Sequence, residues 1–202
     1  STVDLTIEGV TVHGFGNVDW LNSGAPTLLN KSTISADVAG QTLRINVPAW
    51  SNAPGGVIEA KNGGILLLEG TWANNGQLKV NAAELRLDGT FTGLGNFTRT
   101  GGGVLILGTF NAGSFTFDDA TGSFLLTTGT ISGTLDTAAG SGSSLQVSGT
   151  TGTLSGATIG SGMTVTVPVN CVLNVTKNLV VNGTIVLDGP SNNAGLYFNG
   201  GN

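Results

Sequence analysis

The stretch Leu66-Leu67-Leu68-Glu69-Gly70-Thr71-Trp72 returns as Leu85-Arg86-Leu87-Asp88-Gly89-Thr90-Phe91 and again as Val104-Leu105-Ile106-Leu107-Gly108-Thr109-Phe110. Each copy holds two apolar residues one apart, then Gly-Thr, then a large apolar side chain. Gly129-Thr130-Ile131 and Gly149-Thr150-Thr151 extend the series, so the glycines step by 19, 19, 21 and 20 residues. The alternating pair continues as Leu125 with Thr127 and as Leu145-x-Val147. Alternation of period two over so few residues is a strand signature, and its return at a fixed interval marks a repeat protein.

A second column runs between those strands, through Ile58, Leu78, Phe97, Phe115, Leu135 and Leu154, at steps of 20, 19, 18, 20 and 19. Corners rich in Gly and Asn separate the two registers, as in Ala73-Asn74-Asn75-Gly76 and Thr92-Gly93-Leu94-Gly95. A hairpin fold shares the alternation, but it does not need one residue class to return every turn. Stacked coils do: in a parallel β-solenoid equivalent residues lie about 4.8 Å apart, so like packs on like. The chain is therefore expected to be all-β, a single-stranded parallel β-helix with about twenty residues per turn. Thr71, Thr90, Thr109, Thr130 and Thr150 are expected as one outer ladder, and Trp72 as part of a stacked column with Phe91, Phe110 and Ile131.

Composition agrees. Of 202 residues 34 are Gly, only 9% are charged, 39% are hydrophobic, and the net charge is -5. The Gly has no period of three and there are 5 Pro, which excludes collagen. The apolar content exceeds that of a disordered chain. Apolar runs such as Ile65–Leu68 stop far short of the ~20 residues of a membrane-spanning helix. The seven cations, Lys31, Lys61, Lys79, Lys177, Arg44, Arg86 and Arg99, are scattered, and nucleic-acid binding needs them clustered. Cys171 is the one cysteine, so no intrachain disulfide forms, and within Val169–Val175 it reads as a small buried hydrophobe. No signal peptide opens the chain at Ser1, which reads as either a cytoplasmic protein or a processed, mature form, and the composition favours the second.

Residues 57–202 are expected as the solenoid, about seven turns, with the Gly-free stretch Met163–Asn182 continuing it. Residues 1–56 are expected as an irregular N-terminal cap and first irregular turns. They hold Trp20, Trp50, Pro26, Pro48, Pro54 and the one histidine, His13, and a short helix is expected within Thr27–Val38. Leu196–Asn202 reads as the start of a further turn, so the chain is expected either to continue beyond it or to stack there on another molecule.

The segments Gly56–Thr71 and Gly152–Gly160 resemble the repeats of large bacterial surface proteins, the right-handed parallel β-helix passengers of autotransporters and haemagglutinin-like adhesins. The resemblance covers about residues 56–189. It implies a right-handed coil, an extracellular or cell-surface location, and a non-enzymatic role as stalk or adhesin. Partners on this reading are a second copy of the chain, end to end in a fibre, and a carbohydrate or other cell-surface ligand.

The alternative, a carbohydrate-active β-helix of polysaccharide lyase or hydrolase type, needs paired carboxylates. Asp118-Asp119 is the one adjacent pair, and strand neighbours point to opposite faces, so it reads as a corner. Glu69 and Asp88 occupy equivalent positions and read as solvated surface, with a weak cation or glycan site as the alternative. His13, with Glu8 and Asp19 as candidate neighbours, lacks the second His or Cys that zinc requires. No Ser/His/Asp triad, calcium repeat or phosphate loop is legible, so no catalytic residue, cofactor or metal ligand is assigned. Trp20 and Trp50 read first as core of the cap, and whichever lies exposed there is the candidate glycan contact.

Overall fold

The computed structural model describes residues 4–20, 24–189 and 193–200. Among them every regular element is a strand, and no helix is present. The first turn carries β1 (Asp4–Ile7), β2 (Thr11–His13) and β3 (Gly16–Asp19); the second carries β4 (Thr27–Asn30), β5 (Thr33–Ala36) and β6 (Thr42–Asn46). Next come β7 (Ala49–Asn52), β8 (Val57–Lys61) and β9 (Ile65–Leu68), then β10 (Thr71–Asn74), β11 (Gln77–Asn81) and β12 (Glu84–Leu87). β13 (Thr90–Phe91), β14 (Asn96–Thr100) and β15 (Gly103–Ile106) follow, and then β16 (Thr109–Phe117) with β17 (Phe124–Leu126). β18 (Thr130–Thr137) with β19 (Leu145–Val147) and β20 (Thr153–Ile159) with β21 (Thr164–Pro168) make two further turns. β22 (Val172–Thr176), β23 (Val180–Val181) and β24 (Thr184–Asp188) make the last, and β25 (Gly195–Phe198) begins another. The strands stack in parallel as a β-solenoid of about 9 turns, roughly 21 residues apart. The chain divides into two compact units, 1–104 and 105–202.

In the first unit, three parallel ladders run β1-β4-β7-β10-β13, β2-β5-β8-β11-β14 and β3-β6-β9-β12. One inward column reads Leu5, Leu28, Trp50, Trp72, Phe91; a second reads Val12, Ile34, Ile58, Leu78, Phe97. A third reads Val18, Ile45, Leu68, Leu87. Burying one such side chain contributes about 1.5 to 3 kcal/mol, so each turn is held mainly by its neighbours. The Gly-Thr repeat follows from close stacking. Gly70 and Gly89 have φ of 76° and 68°. A Cβ on Gly70 would lie 2.0 Å from the Val47 carbonyl oxygen, and one on Gly89 would lie 1.9 Å from that of Gly70. Both the left-handed backbone and the approach of the preceding turn thus require glycine.

Residues 1–56, expected as an irregular N-terminal cap and first irregular turns, contribute β1 to β7 to these same ladders, with Pro26, Pro48 and Pro54 between strands. The helix expected within Thr27–Val38 is absent: β4 and β5 occupy that segment. Leu28 and Ile34 are inward rungs beside Trp50 and Ile58, and that pairing fixes the backbone.

The second unit carries β16-β18-β20-β22-β25, with β23 beside β20, and β17-β19-β21-β24. Three column assignments shift here. The inward pair of β17 is Phe124 with Leu126, facing Leu145 and Val147, in place of Leu125 with Thr127. Thr130 stands opposite Thr153 and not Thr150, because a longer turn carries the stack past Gly149. Leu154 therefore meets Ile131, and Leu135 meets Ile159. The column Phe110, Ile131, Leu154, Val175, Phe198 is inward throughout.

Candidate functional site

Trp50 lies on the inward side of β7, only 5% exposed, and is therefore no surface glycan contact. Its ring stacks on Trp72 at 5.5 Å and 15°, and Trp72 stacks on Phe91 at 4.5 Å and 10°. The Trp50 Nε1–H donates to the Glu69 carbonyl oxygen at 2.7 Å, and the Trp72 Nε1–H donates to that of Asp88 at 3.0 Å. Each indole is thus satisfied inside the coil by the corner that follows. Trp20, just after β3, is 37% exposed, and its backbone N–H donates to Asp19 Oδ1 at 2.8 Å.

The two carboxylates that the sequence set side by side take different partners. Glu69 Oε2 accepts from Arg44 Nε on β6, whereas Asp88 Oδ1 turns into its own corner and accepts the Gly89 N–H at 2.7 Å. Arg44 Nη1 also lies 3.8 Å from Asp19 Oδ2, and Asn46 Nδ2 donates to Asp19 Oδ1 at 3.0 Å. The hydrogen bond to Glu69, opposed by slight burial and aided by the charges of Glu69, Asp19 and Asp88, holds the Arg44 guanidinium above its ordinary value. This is a partly solvated network on the outer side of β3, β6 and β9 in which Arg44 holds Glu69 and Asp19.

Asp118 forms the expected corner: its Oδ1 accepts the Thr121 N–H at 2.8 Å, and its own N–H donates to Thr121 Oγ1 at 2.8 Å. His13 meets neither Glu8 nor Asp19. It points outward on β2 opposite Ser35, so Asp37, two residues further along that face, supplies the contact, Nδ1 to Oδ2 at 3.3 Å. Glu8 pairs instead with Lys31 at 3.5 Å. Cys171 is half-buried at the corner before β22, not in the core, and its sulfur accepts the Gly149 N–H at 3.4 Å. Among the described residues, no three His, Cys, Asp or Glu side chains gather as a metal site, and no helix is long and apolar enough to cross a membrane.

Two features escaped the sequence. The first is an asparagine ladder: Asn30, Asn52 and Asn74 stand in register on β4, β7 and β10. Asn30 Nδ2 donates to Asn52 Oδ1, and Asn52 Nδ2 to Asn74 Oδ1, each at 2.7 Å. Their recurrence every 22 residues was visible, but it was masked by the Asn that fill corners.

The second is the outer face of β5, β8, β11 and β14, where Ser35, Glu59, Lys79 and Thr98 form one outward column. Glu59 Oε1 accepts from Ser35 Oγ at 2.9 Å and from Lys61 Nζ at 2.5 Å. Burial pushes the Glu59 carboxyl up, but these hydrogen bonds, with the charges of Lys61 and Lys79, bring it below the usual carboxylate range. Beyond Glu59 the face is polar and open.

The terminal turns differ from both. Leu5, 50% exposed, and Phe198, 70% exposed, occupy inward columns over Leu28 and Val175 with nothing described beyond them. Leu187, also exposed, stands over Val167. A shallow hollow of about 600 Å³ lies between Val175–Asn178 and Phe198–Gly200. Compared with protein-family models, curated proteins and solved structures, the chain gives no match.

Proposed function

We propose that the chain is a non-catalytic structural or adhesive module of an exported, cell-surface protein, and that its terminal turns associate end to end. The observation that carries this reading is the exposure of inward-column side chains at both terminal turns. Among the described residues, Leu5 on β1, Leu187 on β24 and Phe198 on β25 have no further apolar rung beyond them, unlike the interior residues of their columns. A second copy supplies such a rung by presenting strands in the same parallel sense. A contact of this head-to-tail kind is heterologous, and where its rotation does not close into a ring it propagates into filaments. Spending Arg44, Glu69, Glu59 and Lys61 on ion pairs also suits a scaffold better than a polysaccharide-cleaving groove.

Sedimentation velocity over a wide concentration range, with electron microscopy of the same samples, tests the assembly. Linear oligomers that Phe198→Asp shortens or abolishes are expected. Strict monomers at every concentration would remove the end-to-end part. Labelling of intact producing cells with an antibody against the chain tests the location, and staining only after permeabilisation would remove the surface assignment.

A further inference from the structure

We infer that the outer face of β11 and β14 is a binding surface for an extended, hydroxyl-rich polysaccharide bearing uronate groups. The inference deepens the adhesive half of the reading above and rests on it. The register Gln77 to Asn96, Lys79 to Thr98 and Asn81 to Thr100 sets six polar side chains in two rungs of three, all on the side opposite the buried Leu78, Val80 and Phe97. Rungs lie about 4.8 Å apart, and alternate residues of one strand about 6.6 Å apart. The grid is therefore a regular one, with Lys79 at the middle of one rung.

None of the side-chain groups of Gln77, Asn81, Asn96, Thr98 or Thr100 is hydrogen-bonded to another described residue. On the neighbouring rung, by contrast, Glu59 is held by Lys61 and Ser35. Each free amide offers two donors and an acceptor, and each threonine hydroxyl offers both. The corners that border the grid carry small residues, Ala82 and Gly101 on one side and Gly76 and Gly95 on the other, so a long chain can lie across it.

The composition of the face selects the ligand class. A protein partner calls for an apolar centre, and the grid has none. Nucleic acid calls for several cations, and this face offers Lys79 and, one rung away, a Lys61 already paired with Glu59. A dense array of neutral donors and acceptors matches ring hydroxyls. The ammonium of Lys79, which meets a carboxylate only on the Glu59 side, adds a place for a uronate.

Native affinity electrophoresis of the full chain in gels containing polygalacturonate, with dextran gels as the neutral comparison, tests this. Retardation by polygalacturonate that survives raised salt is expected. Gln77→Ala/Asn81→Ala/Asn96→Ala should weaken it by about tenfold or more at unchanged melting temperature, and Lys79→Gln should weaken it further. No retardation in either gel, or retardation that these variants leave intact, would overturn the site. Retardation by dextran alone would overturn the uronate assignment, and complete loss at raised salt would reduce the effect to charge attraction. These readouts are independent of self-association, so failure here leaves the assembly test standing, and the reverse also holds.

Discussion

Asn30 Nδ2 donates to Asn52 Oδ1 at 2.7 Å with both side chains fully buried, one rung apart in the same ladder. Asn52 Nδ2 in turn serves Asn74 Oδ1 and the carbonyls of Gly56 and Gln77. The ladder satisfies corner carbonyls where the chain leaves one sheet for the next. Asn52→Leu fills the space but strands these partners, and a buried orphan costs about 1 to 3 kcal/mol. The expected loss is about 3 kcal/mol in urea unfolding. Asn52→Asp should cost more at neutral pH, since a carboxylate accepts only and would face three acceptors. Equal stability of Asn52→Leu and wild type would refute the role of the ladder.

The corner after β8, β11 and β14 is left-handed in each case, with Asn62, Ala82 and Gly101 at φ of 55°, 47° and 73°. Asn and Gly tolerate this region, whereas alanine has neither a missing Cβ nor a side chain that bonds locally. Ala82→Gly is expected to raise stability by about 0.5 kcal/mol, the strain released exceeding the entropy added to the unfolded chain. A lower melting temperature for this exposed substitution would contradict the strained corner.

Much of the fold was legible because stacking writes itself into spacing. Gly70 and Gly89 return on schedule since each must admit a carbonyl from the turn before. Elsewhere the residues carry both phases at once. Phe124-Leu125-Leu126-Thr127 is apolar at odd and even positions alike, and only the pairing of Phe124 with Leu145 decides which face turns inward. Thr150 and Thr153 present the same ambiguity, resolved by the length of one turn. The site was harder to read. Trp50 and Trp20 look equivalent as letters, yet one has Leu28 and Trp72 on either side and the other stands in the first turn. The outer grid is made of common polar residues whose meaning comes only from register.

Trp72 lies between Trp50 and Phe91 and is 3% exposed. Trp72→Ala removes both stacks and leaves a cavity between rungs that cannot collapse without moving backbone. A loss of about 3 to 5 kcal/mol is expected. Trp72→Phe should retain most of it, losing the donor to the Asp88 carbonyl. Calorimetric melting of both variants separates the volume from the hydrogen bond.

The Thr127 hydroxyl is buried with no hydrogen-bond partner among the described residues. Its burial without a partner is a cost that a methyl group does not carry. Thr127→Val keeps the shape of the side chain and should be neutral or stabilising by up to about 1 kcal/mol. Thr127→Ala, which also removes the methyl, should destabilise. Destabilisation by the valine variant in urea titration would show that the hydroxyl finds a partner in solution.

Glu59 lends the first unit a pH dependence whose sign follows from its lowered carboxyl. Above the ordinary carboxylate range it is charged in folded and unfolded chains alike, and its bonds to Lys61 and Ser35 contribute in full. As pH falls, the unfolded chain takes up the proton first, so stability declines until the folded carboxyl is also protonated, below which the contribution is gone. Glu59→Gln should therefore be less stable than wild type at neutral pH, by less than about 1 kcal/mol because Lys61 is well exposed and solvent screens the pair. The gap between the two proteins should close through the acid range. Urea titrations of both at a series of pH values measure it, and a gap that stays constant from neutral to acid pH would show that the Glu59 charge contributes nothing to the fold.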